Sequence, residues 1–320
     1  DAFWMGSIIM RYPIRILQVV TTMNRGGLET MLMNYYRYIN RSKVQFDFLV
    51  HRDFEADYDK EIVSLGGQIF HLSKLNPISS LYKKELDEFF NSHQEYKVVH
   101  SHLDCMSGIP LKEAKKCHVP YRIAHAHSSN QTKDMKYPLK LIIKRNIVEN
   151  ANYLFACGEQ AGKWMFNTDN FKVLNNAIDA KAYSFNCNYR TEIRDEFNIP
   201  TDSLVIGHVG RIMTPKNHKF IIDIFNQFHK DHHNSYLMLV GEGELKSSIQ
   251  DKVRTLGLED YVIFTGLRSD VNELLQAMDI FLFPSLYEGL PVSIVEAQAA
   301  GLPCLISDKV PIECKKTDLV

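Results

Sequence analysis

Residues 280–306, IFLFPSLYEGLPVSIVEAQAAGLPCLI, leave a chain few ways to fold. Ile280 to Phe283 is a short unbroken apolar run, the pattern of a strand buried on both faces. A loop follows. Pro291 suits the first turn of a helix, Val292 to Ala300 continue it, and Gly301 and Pro303 stop it, so that Pro303 to Ile306 opens another strand. The unit is strand, loop, helix, strand, the repeating piece of a parallel sheet. Glu288 then lies beyond a strand's C-terminal end, and Glu296, eight residues on, lies inside the next helix. That edge of an open parallel sheet is where ligands bind. The amides of Gly289, Leu290, Val292 and Ser293 stand at the helix start, where unbonded N–H groups attract anions, although Pro291 offers none. A carboxylate beside an anion site makes sense if it grips hydroxyls, which points to a ligand carrying both phosphate and sugar.

The same alternation runs through the rest of the chain. Ile14 to Val20 reads as a strand, Asn24-Arg25-Gly26-Gly27 as a turn, and Leu28 to Met33 as the opening of a helix. Further strands are expected at Phe46–Val50, Gln68–His71, Val98–His102, Arg122–His127 and Tyr153–Cys157. A second series follows at Leu204–Val209, Tyr236–Val240, Val262–Thr265, Ile280–Phe283 and Pro303–Ile306. With 320 residues, 45% of them hydrophobic, the chain is long for one core. The expected architecture is α/β, two Rossmann-like doubly wound domains, residues 11–175 and 176–320. Residues 1–10 read as a leader or appended sequence outside the fold.

Composition removes several classes. A net charge of −1 argues against a wholesale nucleic-acid binder. The six cysteines are scattered without a CxxC pair and read as reduced thiols of a cytoplasmic protein. No run of apolar residues is long enough to span a bilayer, and the N-terminus lacks the basic start of a secretory signal. Residues 133–145 carry five cations and one acid interleaved with aliphatic residues. They read either as a basic amphipathic helix for the anionic inner face of a plasma membrane or as a solvated helix with one buried stripe.

Several short motifs bear chemistry. Gly26-Gly27-Leu28-Glu29 lets a backbone approach a ligand closely, or is an ordinary turn. Gly241-Glu242-Gly243-Glu244 opens like a dinucleotide fingerprint, but Lys246 replaces its third glycine and the acids would repel a pyrophosphate. Gly210-Arg211 closes a strand and Lys216 precedes the next helix, so two cations five residues apart can converge on a diphosphate. His100 and His102, and again His125 and His127, form HxH pairs whose members share a strand face. No acidic partner or HExxH accompanies them, which favours a polar contact in a cleft, chiefly at His127, or buried structural histidines over a metal site.

Taken in order, these pieces resemble the retaining glycosyltransferases of the GT-B fold, family 4. The carrying residues are Gly26-Gly27-Leu28-Glu29, the His127 segment RIAHAHSS, Asn175-Asn176-Ala177-Ile178-Asp179, Gly210-Arg211 with Lys216-Asn217, Gly241-Glu242-Gly243, Gly266-Leu267-Arg268 with Asp270-Val271, and the E-x7-E block from Glu288 to Glu296. The wording is most similar to enzymes that build capsular or extracellular polysaccharide. The resemblance implies two domains facing across a cleft and a hexosyl group moved from a nucleotide sugar, a UDP-sugar by expectation, to a glycan or lipid-linked acceptor.

It also implies roles. Arg211 and Lys216 hold the donor diphosphate, Glu296 the ribose hydroxyls and Glu288 the transferred sugar. Gly289, Leu290 and Val292 offer amides; Leu267 and Arg268 line the base pocket; Gly210, Gly26 and Gly27 lie near the phosphates; His127 sits near the anomeric centre. No metal or other cofactor is expected, since no DxD-type carboxylate pair stands near a strand end. The chain departs from the family at Asn176-Ala177, where Asn-Gly is common, and stops at Val320, so that a truncated second domain is expected. The competing readings are a catalytically silent nucleotide-sugar-binding protein and a UDP-sugar 2-epimerase.

Overall fold

A computed structural model describes residues 13–130 and 137–320. Two compact units are present: the first runs to Leu174, and the second comprises Asn175–Val320 and also takes in Arg25–Gly27 and Ser128–Asn130.

The first unit is built on a seven-stranded sheet. Its strands are β1 (Ile14–Val19), β2 (Val44–Val50), β3 (Ile69–His71), β4 (Val98–Ser101), β5 (Tyr121–Ala126), β6 (Tyr153–Ala156) and β7 (Lys172–Val173), in the order β3-β2-β1-β4-β5-β6-β7. Every neighbouring pair is parallel. Helices connect most of them, among them Gly27–Tyr38 and Ser80–Ser92. Leu17, Val19, Phe48, Leu49 and Val99 are wholly enclosed, as expected of strands covered on both faces. Asp47, buried mid-strand, is neutralised by Arg15 at 2.5 Å and takes hydrogen bonds from the Tyr96 hydroxyl and the Gln68 amide.

The second unit repeats the plan with β8 (Leu204–Val209), β9 (Ser235–Val240), β10 (Val262–Gly266), β11 (Ile280–Phe283) and β12 (Cys304–Ile306), all parallel in the order β10-β9-β8-β11-β12. Helix His218–Asp231 packs Ile221, Ile222 and Phe225 into the core beside Leu237, Leu239 and Leu282. Helix Cys187–Glu196 is tied to the sheet by Arg194. That side chain is buried, donates to the carbonyls of Ala277, Pro200, Thr201 and Ser203, and meets Asp279 at 2.9 Å.

In each sheet the order reverses at the first strand, between β1 and β4 and between β8 and β11. Chains that leave these strands turn to opposite faces, so a crevice opens at their C-terminal ends. Gly26-Gly27 follows β1, His102 follows β4, Arg211 and Lys216 follow β8 and Glu288 follows β11, whereas His127, Gly241 and Leu267 follow β5, β9 and β10.

The sequence reading errs mainly at element ends. β2 begins at Val44 and β9 at Ser235, because parallel partners extend to them from Ile14 and Leu204. β4 stops at Ser101 and β5 at Ala126, so His102 and His127 stand just past strand ends. Pro291 is not the first helical residue. Its ψ of 114° is extended, and it caps a helix running Val292–Ala299; Gly301, at φ +82°, stops the chain from continuing. Residues 1–10, and 133–136 of the basic segment, lie outside the described residues. The remainder forms helix Tyr137–Arg145.

Candidate functional site

In the second unit the loops after β8 and β11 are stitched to each other. Pro215 supplies its carbonyl to the Leu286 amide at 2.8 Å, and the Asn217 side-chain amide donates to the Pro284 carbonyl at 3.2 Å. Asn217 is left-handed, φ +58°, which ends the short turn Thr214–Lys216 and starts the next helix. This stitching carries Lys216 to Glu288: Nζ and Oε1 are 2.7 Å apart, and the ammonium also lies 4.6 Å from the centre of the Phe283 ring. Both side chains are mostly enclosed, 17% and 13% exposed. Lys216 runs along Gly210, where a β-carbon would stand 3.4 Å from its Cδ and Cε.

Arg211 does not join this pair. Its guanidinium is exposed and lies 3.5 Å from Glu244, so an exposed arginine and an enclosed lysine flank the end of β8. Glu296 is buried in its helix and accepts the Tyr183 hydroxyl on Oε1 at 2.7 Å. Burial pushes its carboxyl up from the usual range, and the Tyr183 bond pulls part of the way back. Tyr183 is held in turn by Gln276, whose amide donates to its carbonyl. Asn176 donates to the Leu290 carbonyl at 2.6 Å and so fixes the loop carrying Gly289 and Leu290.

Leu267 is exposed, whereas Arg268 is fully engaged with Glu196 at 2.5 Å and Asp270 at 2.6 Å. Those carboxylates raise the Arg268 pKa, and Arg268 lowers that of Asp270. The guanidinium thus braces the turn after β10, and the neighbouring backbone and Leu267 are what that turn offers to solvent. Gly241 and Gly243 have a packing reason: a β-carbon would come within 2.4 Å of the Gly210 carbonyl oxygen and 2.2 Å of that of Ile212. Gly27 has none, as a β-carbon there meets nothing within 4 Å.

His208 and His218 were not singled out from the sequence. Their rings meet edge to face at 4.7 Å behind Lys216, buried, and burial lowers both pKa values, that of His218 to about 4. They are neutral packing against the cation. Only their positions beside Gly210 and Lys216 could have flagged them.

In the first unit, the two HxH pairs meet. His100 and His125 approach at 3.2 Å, and His102 and His127 at 2.8 Å. His102 and His125 are buried, and the His127 amide donates to Asp104. His102 and Asp104 line a small cavity of about 230 Å³ with Thr21, Leu28 and Lys140. The ligand nitrogens of His100, His102 and His125 lie within 4.8 Å of one another, spacing that a metal ion could use. The D-x-D spacing at Asp57–Asp59 is accounted for differently: Asp59 is buried and caps the turn by accepting the Ala56 amide at 2.8 Å. Among the described residues no helix is long and apolar enough to cross a membrane.

Two parallel Rossmann-type sheets, with ligand-type loops following the switch-point strands of each, define the GT-B class of glycosyltransferase fold, and solved structures agree. HepE of Anabaena, crystallised in complex with UDP and glucose, superposes with a TM-score of 0.77 at 18% identity, covering 93% of this chain and 81% of its own. Residues 189–315 match the family model described as glycosyl transferases group 1. A Bacillus subtilis (strain 168) protein named as the glycosyltransferase EpsF is 37% identical over 307 residues, 92% of this chain and 79% of that one. The Staphylococcus aureus capsular polysaccharide biosynthesis glycosyltransferase CapH is 25% identical over 296 residues, 89% and 78% of the two chains. The chain belongs to the glycosyl transferases group 1 family.

Proposed function

We propose that the protein is a retaining hexosyltransferase of family 4, moving a sugar from a UDP-sugar to a glycan or lipid-linked acceptor in cell-surface polysaccharide synthesis. One observation carries this reading: an enclosed lysine and glutamate, with a second, buried glutamate on the following helix, sit at the ends of the switch-point strands β8 and β11. The names of EpsF and CapH, and the UDP held by HepE, support the substrate class.

The chemistry follows from charge. As the bond from the anomeric carbon to the diphosphate breaks, negative charge grows on the leaving phosphate and the sugar becomes oxocarbenium-like, so the catalyst must favour the phosphate. Lys216, Arg211 and the amides at the start of helix Val292–Ala299 supply positive potential without a divalent ion. Glu288 takes the hydroxyls of the transferred sugar, Glu296 those of the ribose, and Leu267 with the Gly266–Arg268 backbone borders the base. His127 meets the substrate near the reacting carbon.

We place the enzyme in the cytoplasm, peripheral to the inner membrane face through the basic segment. Ile142 is exposed on helix Tyr137–Arg145, whereas Lys144 turns inward to the Trp164 carbonyl and ring. Flotation with anionic but not neutral vesicles tests this placement.

Calorimetry against a panel of nucleotides and nucleotide sugars, followed by turnover with the donor that binds, tests the activity. Lys216→Ala and Arg211→Ala are each expected to lower turnover about a hundredfold, the scale of losing one preorganised donor to a developing anion. Near-normal turnover in both removes them from the mechanism. Binding with no transfer to any acceptor favours the silent reading.

A further inference from the structure

The four histidines at the C-terminal ends of β4 and β5 include one whose hydrogen is assigned by its neighbours. Gln18 of β1 pairs in register with His100, so it projects to the same side of the sheet as the HxH residues. Gln18, His102 and His125 are buried, and the ring centres of adjacent histidines stand 4.1 to 5.3 Å apart. Burial drives all four pKa values far below the ordinary histidine range, that of His125 to about 3. Every ring is therefore neutral at physiological pH and has one N–H and one lone pair.

The bonding then runs in one direction. The Gln18 Oε1 atom, which can only accept, lies 2.8 Å from His102 Nε2, so that nitrogen carries the hydrogen. His102 Nδ1 is left with a lone pair. His127 Nε2 lies 2.8 Å from it and must donate. The other nitrogen of His127, Nδ1, is then bare. We infer that Gln18 and His102 are positioning residues that hold His127 as its Nε2–H tautomer, so that it offers substrate a lone pair and selects a hydroxyl donor over a carbonyl or phosphate oxygen. The substrate half of this inference rests on the proposed function; the tautomer does not. A metal ion on His100, His102 and His125 would use the same rings, but both nitrogens of His102 already have partners, and an ion would displace one of them.

The test is the tautomer itself, read on the full chain labelled with 15N-histidine, without ligand, at neutral pH. Two-bond 15N–1H spectra distinguish a protonated from a bare ring nitrogen, and loss of cross-peaks in His127→Gln assigns that residue. The expected result is a protonated Nε2 and a bare Nδ1 at His127. Gln18→Leu should convert this to a mixture of tautomers, and Gln18→Glu, which keeps an acceptor, should preserve it. In turnover, Gln18→Leu should lose about tenfold in kcat with little change in donor KM, as for the loss of one buried hydrogen bond, and Gln18→Glu should recover it.

A bare Nε2 at His127, or a pattern indifferent to Gln18→Leu, overturns the assignment. So does one equivalent of zinc in the purified protein that is absent from His102→Gln. Should Gln18→Leu fail to fold, the wild-type and Gln18→Glu spectra still decide. Wild-type transfer by His127→Gln overturns the substrate half and leaves the roles of Lys216 and Glu288 untouched.

Discussion

Replacing Glu288 with Gln should tighten the binding of UDP while slowing sugar transfer. Without ligand, Lys216 is already satisfied: its ammonium is 2.7 Å from a carboxylate that is only 13% exposed. At that separation and an effective dielectric constant near 20, the attraction is about 6 kcal/mol before desolvation is counted. Removing two charges from water cancels most of it, and pairs that are neither fully buried nor fully exposed retain about 1–2 kcal/mol. An incoming diphosphate must draw Lys216 away from this partner and also approach the Glu288 charge. The substituted amide keeps the shape and a hydrogen-bonding oxygen but removes the competitor. UDP affinity measured by calorimetry should therefore rise about tenfold, the equivalent of roughly 1.4 kcal/mol. Turnover should fall, because the sugar hydroxyls lose a charged acceptor. Raising salt should narrow the difference between variant and wild type. Unchanged or weaker UDP binding by Glu288→Gln refutes the premise that the pair competes with the diphosphate.

Glu296→Gln should raise the melting temperature at neutral pH, with the gain shrinking on acidification. The native carboxyl is held above its unfolded pKa by burial, so wild type is disfavoured only where the unfolded chain would ionise; a gain that grows toward low pH contradicts this. His51, His100, His102, His125, His127, His208 and His218 all have lowered pKa values. Their contribution is fully present above the unfolded value near 6.5, and each should subtract about 1.4 kcal/mol per pH unit as pH falls below it. Urea titrations at descending pH should show a steep loss, and a flat profile would mean that these rings charge freely in the folded state. Gly243→Ala should destabilise by about 2 kcal/mol, because its β-carbon meets a carbonyl oxygen at 2.2 Å. Gly27→Ala should leave the melting temperature nearly unchanged and weaken donor binding; the reverse ranking would assign Gly27 to the fold.

The fold was legible because parallel strands covered on both faces are written as apolar runs, as in Ile280–Phe283 and Leu204–Val209. β7 was not: its two residues, Lys172 and Val173, are an exposed edge with no apolar pattern, paired through backbone alone. The HxH spacing correctly placed alternate histidines on one face, since a strand's period is two. Partners on separate loops are another matter. Lys216 and Glu288 are 72 residues apart, Tyr183 and Glu296 113, and Gln18 and His102 84. Spacing along the chain sets which residues lie at a sheet's edge, but which pairs meet there depends on how the intervening turns close. The same limit hid the partners of Arg268, which the resemblance put beside the base and whose fork binds the carboxylates of Glu196 and Asp270.

The family match begins at residue 189, yet the second unit begins at Asn175. The fourteen or so residues between are structural members of that unit: Asn176 anchors the Leu290 carbonyl, and Tyr183 is the bonded neighbour of Glu296. Anyone excising this half for crystallisation, isotope labelling or donor-swapping chimaeras should cut ahead of Asn175. A fragment trimmed to the match would leave a buried acid without its phenol and a loop without its tether, and its failure to bind nucleotide would say nothing about the intact enzyme.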